Sequence, residues 1–96
     1  MRIEVEERAL ELDWADMAIL LTLLWAEADA LIPSDLTPII PDYSRLTKKL
    51  KRLEELELVE ILEIGAERRL RFIYLTELGL KAARKVEELA RKHGLL

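Results

Sequence analysis

The sequence predicts one mainly α-helical domain with a small β-hairpin. Three observations carry that prediction. The chain has 96 residues, enough for a single core and little more. Three segments, opening near Asp13, Asp42 and Thr76, place apolar residues at helical spacing behind a capping side chain. Between the second and the third the apolar period drops to two residues on either side of Gly65, as in two strands and a turn.

The opening "RIEVEERALEL" reads two ways. Ile3 and Val5 alternate like a strand, whereas Ala9, Leu10 and Leu12 suit a helix. Asp13 then fits an N-cap, and Asp16 adds negative charge to the first turn. "WADMAILLTLLWAEADALI" predicts a long helix over about residues 13–30. Trp14, Met17, Ala18, Leu21, Leu24, Trp25 and Ala28 share a face, and Ile19, Leu20 and Leu23 widen it. A helix apolar nearly all round is buried on more than one side, and in so small a domain another subunit is the expected second partner. "IPSDLTPIIP" holds all three prolines and cannot be one long helix. Ser34 or Thr37 is the expected cap of a short one, with Pro38 at the first position after Thr37 and a break around Pro41.

"DYSRLTKKLKRLEELELVE" predicts a helix from Tyr43, capped by Asp42 and ending near Leu56 or Glu57. Leu46, Leu50 and Leu53 fall within about 60° of one another around its axis. Arg45, Lys48, Lys49, Lys51 and Arg52 cluster on the opposite arc. In "LVEILEIGAERRLRFIYLT", Val59 and Ile61, then Leu70, Phe72 and Tyr74, mark two strands joined through Gly65. Thr76 caps a last helix over about residues 77–93, with Leu78, Ala82, Val86, Leu89 and Ala90 on one face and Gly94 just past its end. The order is long helix, short helix, basic helix, hairpin, helix. That is a winged helix-turn-helix spanning 1–96 as a single domain, with no repeat or low-complexity linker.

Charge is segregated along the chain. The formal net charge is −4, but Met1 to Asp42 carries two basic residues against ten acidic, and Tyr43 to Leu96 thirteen basic against nine acidic. A local basic patch steers a polyanion even on an acidic protein. The acidic half is expected to lie away from any DNA-facing surface.

Several function classes lack their residues. Without cysteine there is no disulfide, thiol nucleophile or thiolate metal site. His93 is the only histidine, so neither a metal site nor a cofactor is expected. The three glycines are isolated, leaving no phosphate-binding loop, and neither Ser34 nor Ser44 has a base nearby in sequence. Catalysis is not expected. No apolar run reaches membrane-spanning length, and the Glu-rich start does not suit a secretory signal, so the expected location is cytoplasmic, with no membrane partner. Asn and Gln are absent while charged residues reach 35%, the bias of heat-adapted proteins, which points to a thermophilic source.

The motifs also resemble a known family. "SRLTKKLKRLEELELVEI" followed by "ERRLRFIYLTELG" is similar to the MarR-type winged-helix regulators. Those proteins carry a Ser/Thr-Arg pair, a leucine-rich "RLE" stretch ending in "GLV", an acidic-Arg wing tip and "LT-x-x-G" opening the next helix. Thr47-Lys48, "KRLEELELV", Glu67-Arg68-Arg69 and "LTELG" stand in those places, and the resemblance covers about residues 14–80. Each motif alone is unspecific; their order and spacing together are specific. Glu57 replaces the family's Gly before "LV", where a left-handed turn would strain a side chain. The chain is also shorter than typical members, closer in size to compact archaeal and viral regulators, which implies reduced dimerising helices.

The resemblance implies a homodimer on pseudo-palindromic double-stranded DNA, with dimer contacts from the helices near 13–30 and 77–93. Ser44, Arg45, Thr47, Lys48 and Lys51 are the candidates for base edges and groove, since Arg and Lys donate to guanine O6 and N7. Lys49 and Arg52 suit phosphates. Arg68, Arg69 and Arg71 on the wing, around 65–69, suit a narrow minor groove or the backbone, and Glu67 is placed to orient a neighbouring arginine. Plainer readings stand beside these. The basic arc is also what a solvated helix face looks like, with Lys51–Glu55 as an i,i+4 pair, and a charged hairpin keeps a sheet edge soluble. Trp14 and Trp25 line either a pocket for a small-molecule effector or a packed interface. The alternative function is a winged-helix protein–protein module that does not bind DNA.

Overall fold

A computed structural model describes residues 1–66 and 70–96. The opening segment is a hairpin, which the helical alternative obscured. Strand β1 (Arg2–Val5) pairs antiparallel with β2 (Arg8–Glu11), and Ile3, Val5, Leu10 and Leu12 enter the core. Its turn is Glu6-Glu7, both left-handed, at φ 49° and 67°. Two left-handed residues in a two-residue loop fit a type I′ turn, whose twist matches the strands.

Helix α1 (Trp14–Trp25) opens with a reciprocal capping box. The Asp16 N–H donates to Asp13 Oδ1 at 2.8 Å, and the Asp13 N–H donates to Asp16 Oδ2 at 2.9 Å. The helix stops well short of residue 30. Leu31 must leave it to bridge Ile73, exchanging bonds of 2.9 and 2.7 Å. Its phase also differs from expectation. Asp16, Ile19, Leu20 and Leu23 face the core, while Trp14 and Trp25 remain 70% and 50% exposed.

The proline-rich segment forms one 3₁₀ turn (Pro33–Leu36), with Leu36 fully buried. Neither expected residue caps it. Pro33 takes the first position, where its fixed φ and missing N–H cost nothing. Asp35 accepts the Ile32 N–H at 3.0 Å, and the Thr37 hydroxyl donates to the Ser34 carbonyl at 2.8 Å.

Helix α2 (Tyr43–Glu55) buries Leu46, Leu50 and Leu53 as expected, and Asp42 caps it by accepting the Arg45 N–H at 3.2 Å. It ends in a Schellman motif. The Leu58 N–H bonds the Leu53 carbonyl at 3.0 Å, the Glu57 N–H bonds Glu54 at 2.9 Å, and Glu57 sits at φ 64°.

The second hairpin pairs β3 (Val59–Ile64) with β4 (Leu70–Leu75). Gly65, at φ 99°, leads out of β3. The register puts Val59 opposite Leu75, Ile61 opposite Ile73 and Glu63 opposite Arg71. Val59 and Ile73 from this set are buried, whereas Leu62, Ile64 and Leu70 on the other face are about half exposed.

Helix α3 (Glu77–Lys92) packs Gly79, Ala82, Ala83 and Val86 inward. Thr76 is a joint: its hydroxyl accepts the Gly79 N–H at 2.9 Å and donates to the Glu57 carbonyl at 2.6 Å. A Cβ on Gly79 would stand 1.8 Å from the Leu58 carbonyl oxygen. "LTELG" therefore seats α3 against the exit from α2. Gly94, at φ 72°, closes α3 with a second Schellman motif, in which the Leu95 N–H bonds the Ala90 carbonyl at 2.8 Å.

Candidate nucleic-acid interface

At about 100° per residue, the neighbours of α2 split its polar arc into three. Ser44 and Lys48 occupy the exposed crest opposite the buried leucines, while Arg45, also exposed, lies one turn ahead of Lys49 on the α1-facing stripe. Arg45, Lys48 and Lys51 form no ion pair among the described residues.

One flank faces the β3–β4 hairpin. Thr47 and Lys51 line an open groove there with Pro33, Ile61, Glu63 and Arg71. Thr47 is half-buried, and its hydroxyl donates to the Tyr43 carbonyl at 2.9 Å. Arg71 Nε lies 3.4 Å from Glu63 Oε1, across the strand pair. The groove floor is apolar and its walls carry both charge signs.

The other flank is occupied from within. Lys49 Nζ lies 2.6 Å from Asp13 Oδ2 and 3.2 Å from Asp16 Oδ1. Arg52 Nη1 donates to Asp16 Oδ2 at 2.9 Å, and its Nη2 donates to the Glu11 carbonyl at 2.9 Å. Asp16 is 1% exposed. Partial burial raises the Asp13 carboxyl, but the Lys49 ammonium and the Asp16 N–H outweigh it and hold the carboxyl at about 2. Lys49 loses water too, yet its bonds to Asp13 and Asp16 raise its pKa above the ordinary lysine value.

The ten residues singled out from the sequence therefore meet different surroundings. Ser44 and Lys48 lie on the crest, Arg45 is exposed one turn ahead of Lys49, and Thr47, Lys51 and Arg71 lie along the hairpin groove. Lys49 and Arg52 are on α2 but engaged with α1. Arg68 and Arg69, with Glu67 beside them, lie outside the described residues. Sequence reasoning missed Asp13 and Asp16 as partners of α2 and placed the acidic half away from it. Charge segregation was the available signal, because an acidic first half and a basic second half can pair as readily as separate. Arg8 was missed as well: its Nη2 donates to the Leu56 carbonyl at 3.2 Å, beside Glu57. No metal-binding group of His, Asp or Glu exists among the described residues, and no helix among them is long and apolar enough to cross a membrane.

The chain is similar to AbsC, a MarR family transcriptional regulator from Streptomyces coelicolor, at 35% identity and a TM-score of 0.73, covering 88% of this chain and 62% of AbsC. It is similar to MepR, a transcription regulator of the Staphylococcus aureus multidrug efflux pump MepA, at 20% identity and a TM-score of 0.71, covering 85% and 60%. A transcriptional regulator homologue from Pyrococcus horikoshii OT3 matches at 20% identity and a TM-score of 0.65, covering 83% and 81%. The chain thus spans about three-fifths of the length of AbsC and MepR. No family model matches it, and no curated protein does.

Proposed function

Starting from the winged helix-turn-helix fold that this chain shares with MarR-family transcriptional regulators, we propose that it is a sequence-specific double-stranded DNA-binding protein that regulates transcription. The observation that carries the reading is the exposed face of α2. Arg45 and Lys48 stand exposed, with no ion pair among the described residues, at the start of a helix whose back is buried, with a hairpin alongside. A recognition helix offers base edges these donors in this part of its length. Ser44, Thr47 and Lys51 complete the groove-facing set. Arg71 supports the wing, and Arg68 and Arg69 join it on the strength of the sequence alone.

The proposal includes a homodimer. On α1 Trp14 and Trp25 stand exposed beside the partly buried Met17, Ala18 and Leu21; with Val86, Leu89, Leu95 and Leu96 they line an apolar groove between α1 and the C-terminal segment. A second copy seated there would set two α2 helices against successive major grooves of a pseudo-palindromic site, about 34–36 Å apart. The protein acts by binding rather than catalysis, in the cytoplasm.

One observation favours a second reading. Leu62, Ile64 and Leu70 make the outer face of the β3–β4 hairpin apolar, as in a winged-helix module that docks another protein. Gel mobility with random genomic fragments separates the two. The DNA reading expects retardation at low salt and micromolar protein, lost as salt rises. No retardation under those conditions leaves the protein-docking reading.

A further inference from the structure

We propose that Asp16, seconded by Asp13, is a positioning residue for DNA binding: it clamps the recognition helix α2 to α1 and withdraws Lys49 and Arg52 from the phosphate backbone. This rests on the DNA-binding reading and reassigns two of its cations.

The geometry is a closed set of charges. Asp16 is 1% exposed, and each carboxylate oxygen faces one cation of α2: Lys49 at 3.2 Å on Oδ1 and Arg52 at 2.9 Å on Oδ2. Asp16 Oδ1 has no hydrogen bond of its own, so the Lys49 ammonium is what compensates it. Were Lys49 to swing out to a phosphate, a buried carboxylate oxygen would be left facing nothing. That is the costly way to break a buried pair. The new ion pair with the phosphate would be solvent-exposed and screened by salt. The balance keeps Lys49 in place when DNA arrives. Arg52 is tied more tightly still, because its second nitrogen holds the Glu11 carbonyl at 2.9 Å.

The clamp acts on one side of α2 only. The opposite flank is the open groove toward β4, so the clamp bears on how α2 rolls about its axis. The roll decides where Arg45 and Lys48 point. The clamp reaches α1 at its first turn, in the capping box beside Trp14. The face proposed for dimer contact and the helix proposed for base reading are thereby joined through two carboxylates.

Two measurements on the intact protein test this. In the wild type with ¹⁵N-labelled lysine side chains, random-sequence duplex DNA should shift the Lys48 and Lys51 ammonium signals and leave that of Lys49 in place. A Lys49 signal that moves with them overturns the proposal. Next, the slope of log affinity against log salt is compared between wild type and variants. Lys49→Met should leave the slope unchanged, and the double variant Asp13→Asn/Asp16→Asn should steepen it by about 0.9 for each freed cation. A shallower slope in Lys49→Met, or an unchanged slope in a folded double variant, overturns the proposal; a purely structural carboxylate pair would lower stability without steepening the slope. If the double variant does not fold, the lysine signals decide. Absence of any wild-type binding at low salt fails the DNA reading itself and removes this inference with it.

Discussion

Glu57 and Gly94 occupy the same left-handed position of the same helix-ending motif, at φ 64° and 72°. Gly94 was legible in the sequence because glycine takes that conformation without steric cost. Glu57 was not, since a glutamate there suffers a Cβ clash of about 1 kcal/mol or more. Thr76 on its carbonyl and Arg8 on its side chain and on the Leu56 carbonyl hold the strained turn in place. Glu57→Gly should therefore raise stability by about 1 kcal/mol in urea unfolding. A loss would show that the Arg8 contact outweighs the strain. Glu6-Glu7 hid the first hairpin for the same reason: type I′ turns are read from Asn-Gly or Asp-Gly. Gly79→Ala should cost at least about 3 kcal/mol, because its Cβ meets a backbone oxygen that cannot give way. Asp13 sets a pH signature. Its carboxyl is held at about 2 in the folded chain, below its ordinary value of 3.8. The stability it contributes is complete above the ordinary value and is lost as pH falls from there toward about 2. Unfolding midpoints across that window should drop in the wild type and drop less in Lys49→Met.

At the scale of elements, phase was harder to read than type. All three helices start behind the caps expected of them, and the β3–β4 hairpin stands where its period placed it, but α1 ends at Trp25 rather than near residue 30. In α1 two apolar stripes run side by side, and periodicity cannot say which one the core takes. The core took Ile19, Leu20 and Leu23, leaving the tryptophan stripe outside. In β4 both faces are apolar, so Leu70, Phe72 and Tyr74 announced a strand, while Ile73 between them is the residue buried. In α2 the leucines were unambiguous, and the sequence set Lys49 and Arg52 apart only as phosphate contacts. Their neighbours give them another place: Asp13 and Asp16 hold Lys49 and Arg52, Lys51 lines the hairpin groove, and Arg45 and Lys48 stay exposed. Arg45→Ala and Lys48→Ala should each change which bases are preferred, costing about 1–3 kcal/mol on the preferred site. Arg68→Ala and Arg69→Ala should weaken most sequences alike, with a salt slope shallower by about 0.9 for each phosphate no longer neutralised. Binding-site selection from a randomised duplex pool distinguishes the two patterns.

For the whole molecule, the segregation of charge proved informative in a way the net value of −4 was not. Part of the acidic half lies against α2 and pairs with Lys49 and Arg52, while Arg45, Lys48 and Lys51 stay exposed. The sequence showed the two halves; it could not show that Asp13 and Asp16 cross to meet Lys49 and Arg52, because that pairing depends on how α1 crosses α2. The apolar groove bounded by Trp14, Trp25, Leu95 and Leu96 belongs to this scale too. If a second copy covers it, Trp14→Glu should sediment as a monomer and bind DNA at least about tenfold more weakly. A variant that remains dimeric places the contact elsewhere. DNA reading by the exposed face of α2 is tested most directly by the binding of random and selected duplexes at low salt to the wild type and to the Arg45→Ala/Lys48→Ala double variant, both confirmed as folded. The wild type should retard both duplexes and prefer the selected sequences, and the double variant should lose that preference. Equal binding and equal preference in both proteins would contradict it.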